Sequence, residues 1–284
     1  MENAIHLDLD GAWDTAGMNI RTVDLRDCGP SLRYFATSAG LKDLFRRLPE
    51  PLPPFVLYGS GDFHYLCGIW LDRAIRSPGR ENVTLVSFDN HPDWDIRPPH
   101  WGCGGWINRA LEMPAVRAAH VWGCGNFELA LPARLFANRR ELRGGRLVVH
   151  PWAERQSEST RRHYDCITRD NWKLQFEQFA SGLSGANIYI TVDLDCVGPD
   201  HAKTNWENGL FAPGDVAWAI RQLRQRANVF AGDVCGAYSP PEYHGLARRF
   251  IGWWDHPKLP PISLDEARRV NKVAIAAIWP ALAG

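Results

Sequence analysis

The chain has 284 residues, with 32 basic and 32 acidic side chains, so its formal net charge at pH 7 is zero. This balance argues against a protein that binds nucleic acid or an anionic membrane, because binding to either is favoured by a surplus of basic residues. No stretch approaches the roughly 18 to 20 continuous apolar residues of a membrane-spanning helix. The seven scattered cysteines are typical of reduced thiols, and the acidic N-terminus is unlike a signal peptide. We therefore expect a soluble, cytoplasmic globular protein.

Short apolar runs along the chain predict buried β-strands at 55–58, 83–88, 119–122, 146–149, 187–192 and 229–234. Stretches with helical spacing lie between them, at 65–75, 106–112, 172–183 and from Pro213 onward. A last helix is predicted by a capping box, in which Ser263 and Glu266 each satisfy a free amide of the first turn. Apolar strands that alternate with helices predict an α/β fold whose mostly parallel sheet is covered on both faces.

Carboxylates and imidazoles cluster after three of these predicted strands, where α/β sheets bind ligands. They are Asp62 and His64 after 55–58, Asp89, His91 and Asp93 after 83–88, and Asp193 and Asp195 after 187–192. Alternate residues of an extended segment point the same way, so the members of each group can converge. Burying them unpaired would be expensive, and a divalent cation would offset that cost. Mixed oxygen and imidazole donors favour Mn²⁺, Fe²⁺ or Zn²⁺.

A single D-x-H-x-D segment would be explained equally well as a solvated loop or a helix cap, whereas three such clusters together predict a metal site. Together the segments resemble the ureohydrolases, the family of arginase, agmatinase and formimidoylglutamase. That family carries a G-D-H loop, a D-A-H-x-D strand end and an S-x-D-x-D strand end followed by a D-P turn. Here 61–64 reads G-D-F-H, 88–93 reads F-D-N-H-P-D and 191–199 reads T-V-D-L-D-C-V-G-P. The resemblance covers about 55–241 of a predicted single domain, 1–284, and leaves 1–50 as a divergent N-terminal segment.

The resemblance implies a three-layer α/β/α fold and two Mn²⁺ ions per chain. One ion would be held by His64, Asp89, Asp93 and Asp193, and the other by Asp89, His91, Asp193 and Asp195. A hydroxide bridging the ions would attack an amidine or guanidine carbon, and Asp93 would pass its proton to the leaving amine. The implied activity is hydrolysis of a carbon–nitrogen bond, other than a peptide bond, in a small linear amidine.

The sequence departs from the family in its substrate-binding residues. Gly236 stands where the family has the glutamate that holds the guanidinium, and Glu242 or Glu128 are the candidates to replace it. Cys103 stands where agmatinases have a proton-shuttling histidine, and His100 is the candidate replacement. Because the segment before the first motif is short, an arginase-type trimer is not assumed, and self-association stays open.

Two other functions remain open at this stage. A deacetylase-like amide hydrolase would use one zinc ion held by two aspartates and one histidine, and the missing guanidine-binding glutamate favours it. A non-catalytic relative would keep the fold and the metal, and the changes at Gly236 and Cys103 favour that alternative. The complete set of bridging aspartates argues against both.

Overall fold

The computed structural model describes residues 3–99 and 101–284. Its strands form one eight-stranded sheet in the order β2-β1-β3-β8-β7-β4-β5-β6, and every neighbouring pair is parallel. The strands are β1 (Ala4–Asp8), β2 (Arg21–Asp24), β3 (Phe55–Tyr58), β4 (Val83–Phe88), β5 (Val116–Trp122), β6 (Leu147–His150), β7 (Asn187–Asp193) and β8 (Asn228–Cys235).

The α-helices of the described residues range from single turns to a helix of 20 residues. They are α1 (Gly29–Leu32), α2 (Ser38–Arg47), α3 (Cys67–Ala74), α4 (Trp106–Leu111), α5 (Arg139–Arg143), α6 (Glu158–Arg161), α7 (Trp172–Ser181), α8 (Pro213–Arg226), α9 (Leu246–Asp255) and α10 (Leu264–Ala283). Short 3₁₀ turns follow β3 (Gly61–Leu66) and β7 (Leu194–Cys196).

Two buried apolar cores lie on the two faces of the sheet. Helices α2, α3 and α4 pack on one face, and α7, α8 and α10 pack on the other. Alternate strand residues serve the two cores, as in β3, where Val56 belongs to the first and Leu57 to the second. The protein therefore has the predicted three-layer α/β/α fold around a parallel sheet.

The six strands predicted from apolar runs are all present, and two of them, 55–58 and 83–88, have the predicted bounds. The predicted capping of α10 is present in part, because the Ser263 hydroxyl accepts from the Glu266 amide at 3.2 Å. Strands β1 and β2 were not predicted. They occupy part of the segment 1–50, and β1 lies inside the sheet between β2 and β3.

None of the helices in the described residues combines the length and the apolar character needed to cross a bilayer.

Candidate metal centre

The polar clusters predicted after three strands come together at the carboxyl end of the sheet. Strands β3, β8, β7 and β4 are consecutive in the sheet, so their carboxyl ends are neighbours. The 3₁₀ turn after β3 carries His64, and the loop after β4 carries three of the candidate ligands. Asp193 is the last residue of β7, and Asp195 lies in the 3₁₀ turn that follows it. All six predicted ligands are inward-facing, and His91, the most exposed of them, has a side chain only 14% exposed.

The first half of the cluster surrounds the imidazole of His64. Its Nδ1 lies 3.1 Å from Asp89 Oδ2, 3.1 Å from Asp93 Oδ2 and 3.5 Å from Asp193 Oδ2. The extra residue of the G-D-F-H sequence, Phe63, is fully buried in the core. The 3₁₀ winding of this turn therefore absorbs the additional residue and still directs His64 toward the aspartates.

The second half of the cluster surrounds His91. Its Nδ1 lies 2.9 Å from Asp195 Oδ2 and 3.6 Å from Asp89 Oδ1. Backbone amides fix the carboxylates, because the Asn90 N–H donates to Asp195 and the Asp195 N–H donates to Asp193, each at 3.0 Å. Asp89 faces both imidazoles and joins the two halves.

The donor set fits divalent cations. Among the predicted ligands, His64, Asp89 and Asp93 have donor atoms within 4.8 Å of one another, and so do Asp89, His91 and Asp195. The Oδ2 atom of Asp89 is buried and accepts no hydrogen bond from the described residues. A buried carboxylate oxygen without a donor calls for a cation, and oxygen and imidazole donors suit Mn²⁺, Fe²⁺ or Zn²⁺.

The electrostatics of the cluster also indicate missing positive charge. Burial, together with the negative charge of Asp89, raises the pKa of Asp93 to about 7. Burial and the charge of Asp195 raise the pKa of Asp193 to about 8, and burial raises the pKa of Asp195 to about 6. Burial acts in the same direction on Asp89, but the neighbouring imidazoles of His64 and His91 hold its pKa below the usual value. A cation bound beside these carboxyl groups would replace the protons that their raised pKa values favour.

A hydrogen-bonded chain behind His64 orients the imidazole. The Thr191 hydroxyl donates to Asp233 Oδ1 at 2.8 Å and accepts from His64 Nε2 at 3.0 Å. This arrangement directs Nδ1 toward the aspartates, where its lone pair would be available to a metal ion. Asp233 also accepts from the hydroxyls of Tyr189 and Tyr58, at 2.6 and 3.1 Å. We predicted no role for these hydrogen-bonded side chains. The two-residue spacing of Tyr189, Thr191 and Asp193 along β7 was the signal that places them on one face.

Asp62, the aspartate of the first motif, lies outside the cluster and belongs to a separate buried network. It accepts from Arg33 at 2.7 Å, and its other oxygen lies 2.7 Å from His256 Nε2, just after α9. Arg33 also donates to Asp10 and Ser239. The turn that carries His64 is thereby tied to the N-terminal segment and to α9.

A cavity of about 430 Å³ opens above the cluster. Glu128 and Cys103, two of the predicted substrate-binding residues, line it. Glu242 does not line it and is exposed on the segment before α9. His100 lies outside the described residues. Glu207, which we did not predict, places Oε2 3.5 Å from His91 Nε2.

The walls of the cavity are largely aromatic, and its charged groups are mostly acidic. Its aromatic side chains include Tyr34, Trp94, Phe127, Phe136, Trp206, Phe250 and Trp254. The guanidinium of Arg97 also lines the cavity, but it is paired with Asp95 at 2.9 Å. Burial raises the pKa of Glu128.

Gly236 lies against the cluster in a conformation that suits glycine. Its φ is +97°, and a Cβ atom built there would collide with Asp193 Oδ1 and the Leu194 amide nitrogen. The backbone of Gly236 therefore occupies the space that a side chain would need. A glutamate, which the ureohydrolases have at this position, would therefore require a different local backbone.

No protein-family model matches the chain, and no curated protein sequence matches it. Solved structures do resemble it. Proclavaminate amidino hydrolase from Streptomyces clavuligerus is 13% identical, with a TM-score of 0.55 over 100% of this chain and 93% of that one. Arginase from Bacillus subtilis is 12% identical, with a TM-score of 0.51 over 86% of this chain and 92% of that one.

A hypothetical agmatinase from Burkholderia thailandensis is 18% identical, with a TM-score of 0.46 over 79% of this chain, and the match spans 59% of that longer chain. At such identities, the likeness to the proclavaminate amidino hydrolase and the arginase is one of fold. The predicted resemblance to the ureohydrolases is thus confirmed at the level of the fold, which is that of arginase.

Proposed function

We propose that the protein is a binuclear manganese hydrolase that cleaves a linear carbon–nitrogen bond in a small amidine or guanidine. The observation that carries the proposal is the convergence of two imidazoles and four aspartates, with Asp89 shared between both halves. The names of the structural neighbours, an amidino hydrolase and an arginase, support the same chemistry.

One ion would be held by His64, Asp89, Asp93 and Asp193. The other would be held by Asp89, His91, Asp193 and Asp195, so that Asp89 and Asp193 are common to both. Manganese ions bound there would lower the pKa of water, supply hydroxide near neutral pH and stabilise charge that develops on the substrate.

Asp93 is the residue that we assign to proton transfer. In the ureohydrolases that the sequence resembles, the matching carboxylate also contacts the bridging solvent, so it can accept a proton there and release it to the leaving group. The indole N–H of Trp106 donates to Asp93 Oδ2, and this contact fixes the orientation of the carboxyl group. In the proposed reaction, Asp93 delivers its proton to the leaving amine.

Substrate binding is assigned to the cavity wall. Glu128 presents a carboxylate to a cationic group of the substrate, and Cys103 contributes the side chain at the place of the agmatinase histidine. Aromatic side chains such as Phe250 and Trp254 would cover an apolar part of the substrate. Gly236 provides no carboxylate, so we expect weaker recognition of a bare guanidinium than in a classical arginase.

The proposal is tested by loading the protein with Mn²⁺, desalting it and measuring bound metal. We expect about two manganese ions per chain, together with release of urea or ammonia from at least one compound of an amidine and guanidine panel. One zinc ion that manganese does not displace would favour the deacetylase-like alternative, which the glycine at 236 supports. Two bound ions without turnover on any amidine or amide would favour a non-catalytic relative.

Manganese should stabilise the protein more at pH 8 than at pH 6. Asp93, Asp193 and Asp195 have raised pKa values, so the metal-free folded protein binds more protons than the unfolded chain. The stability due to those protons is lost as pH rises through about 6 to 8. Asp89, whose pKa is lowered, is ionised throughout this range.

A metal ion replaces these protons, so its binding strengthens with pH. The measurement is the rise in thermal midpoint caused by saturating Mn²⁺ at the two pH values. An equal or smaller rise at pH 8 would show that these carboxyl groups do not bind the metal.

A further inference from the structure

Cys235 lies beside the metal ligands, at the end of β8. It is fully buried and pairs in register with Asp193 of β7. Its Sγ lies 3.5 Å from Asp193 Oδ2, and the same oxygen lies 3.5 Å from His64 Nδ1. Cysteine stands here where the D-V-V-E sequence of the ureohydrolases has its second valine. The chain therefore has a sulfur donor at a position that is apolar in the family motif.

His64, Asp193 and Cys235 form a possible ligand set of their own. Their donor atoms lie within 4.8 Å of one another, and all three residues are buried. The buried Oδ2 atom of Asp89, which accepts no hydrogen bond from the described residues, lies 3.1 Å from His64 Nδ1 and faces the same space. A cation there would have oxygen, nitrogen and sulfur donors within reach.

We propose that Cys235 binds a thiophilic divalent cation, such as Zn²⁺ or Fe²⁺, together with His64 and Asp193, at the His64 half of the cluster. This inference rests on the proposed metal centre and changes the identity of one of its ions. On binding, the thiol proton leaves to solvent and a sulfur–metal bond forms. Soft thiolate donors shift preference from Mn²⁺ toward Zn²⁺ and Fe²⁺. The Asp89–His91–Asp195 half has only oxygen and nitrogen donors, so manganese remains its proposed occupant.

The test has to distinguish Cys235 from a second thiol near His64, that of Cys67. Cys67 and Asp233 also have donor atoms within 4.8 Å of His64. His64 Nε2 is already engaged by Thr191, and Asp233 already accepts hydroxyl donors from Thr191, Tyr189 and Tyr58. We therefore assign the metal–sulfur bond to Cys235 and use Cys67 as the competing residue.

The test replaces the metal with Co²⁺ and records its absorption. Bound Co²⁺ gives visible bands, and a thiolate ligand adds intense charge-transfer absorption in the near ultraviolet. We expect this absorption in the wild type and in Cys67→Val, and its loss in Cys235→Val with the visible bands retained. Cys28→Ala, a change at a buried cysteine whose thiol donates to Asp43, is the control and should keep the absorption.

A second readout is the zinc retained against excess manganese. We expect Cys235→Val to lower the ratio of bound zinc to bound manganese by about tenfold or more. Thermal midpoints of the metal-free proteins show whether the variant is folded. If Cys235→Val is unfolded, Cys235→Ser, which keeps a small polar side chain, takes its place in both measurements.

Near-ultraviolet absorption that is absent from the wild type, or that survives in Cys235→Val, would overturn the assignment of Cys235. In either case two bound manganese ions and amidine turnover would leave the proposed function intact. Failure of cobalt, zinc and manganese alike to bind would overturn the metal centre itself, and with it this inference.

Discussion

Asp193→Asn is expected to lose both bound metal and amidine turnover, with a fall in kcat/KM of roughly a thousandfold or more, the equivalent of the several kcal/mol that a metal supplies. Asp193 lies between the two halves of the cluster. Its Oδ2 is 3.5 Å from His64 Nδ1, and its Oδ1 accepts from the Asp195 amide. An amide of the same shape can keep that backbone hydrogen bond, but it lacks the charge that binds a cation.

Loss of metal can be separated from loss of fold. The pKa of Asp193 is raised to about 8, so its ionised form is unfavourable in the metal-free protein. Removing that charge should leave the thermal midpoint of the metal-free variant equal to or above that of the metal-free wild type. Asp170→Asn, a change at an exposed aspartate, is the matched control and should retain metal and turnover. Full metal content and activity in Asp193→Asn would contradict the proposed centre.

Gly236→Glu is expected to abolish metal binding instead of restoring guanidine recognition, although it reinstates the family glutamate. At φ +97°, an L-residue is strained by roughly 1–3 kcal/mol. The new Cβ would also collide with Asp193 Oδ1 and with the Leu194 amide nitrogen. Asp193 must then move, and its contacts with His64 and Asp195 move with it.

The effect should come from the Cβ atom and not from the carboxylate. Gly236→Ala should therefore show most of the same loss of bound manganese and of thermal stability. Gly104→Ala is the control, because Gly104 also lines the cavity and a Cβ there meets no atom within 4 Å. Increased hydrolysis of simple guanidines by Gly236→Glu, with metal retained, would show that the backbone at Gly236 can change at little cost.

The sequence predicts the strands that are buried on both faces, because such strands are continuous apolar runs. Strands β3 and β4 are wholly buried, and their bounds were predicted correctly. Strand β2 is largely exposed at the edge of the sheet, and β1 carries a histidine and an aspartate, so neither shows the apolar signal. Helix α9 was missed because its large apolar residues, such as Trp254 at 74% exposure, face the open cavity or solvent instead of forming a core-facing stripe.

The six proposed ligands could be found from the sequence because each lies two positions from another acidic or imidazole side chain. The supporting residues could not be found in this way. Arg33 pairs with Asp62 across 29 positions, and His256 reaches the same carboxylate across 194. Such contacts depend on the order of strands in the sheet. The collision at Gly236 likewise depends on the backbone path from β8, which the sequence does not express.

The strand order has a consequence for how the chain folds. Strand β3 pairs with β8, so Phe55 lies beside Gly232, and the middle of the sheet closes only when residues far apart in the chain meet. Contacts between distant residues close long loops and slow folding. During synthesis the N-terminal strands emerge first, and β3 presents an open edge until β8 arrives. The proposed ligands lie on both sides of that gap. Uptake of the proposed metal would therefore be a late event in folding, and manganese binding during refolding would report completion of the sheet.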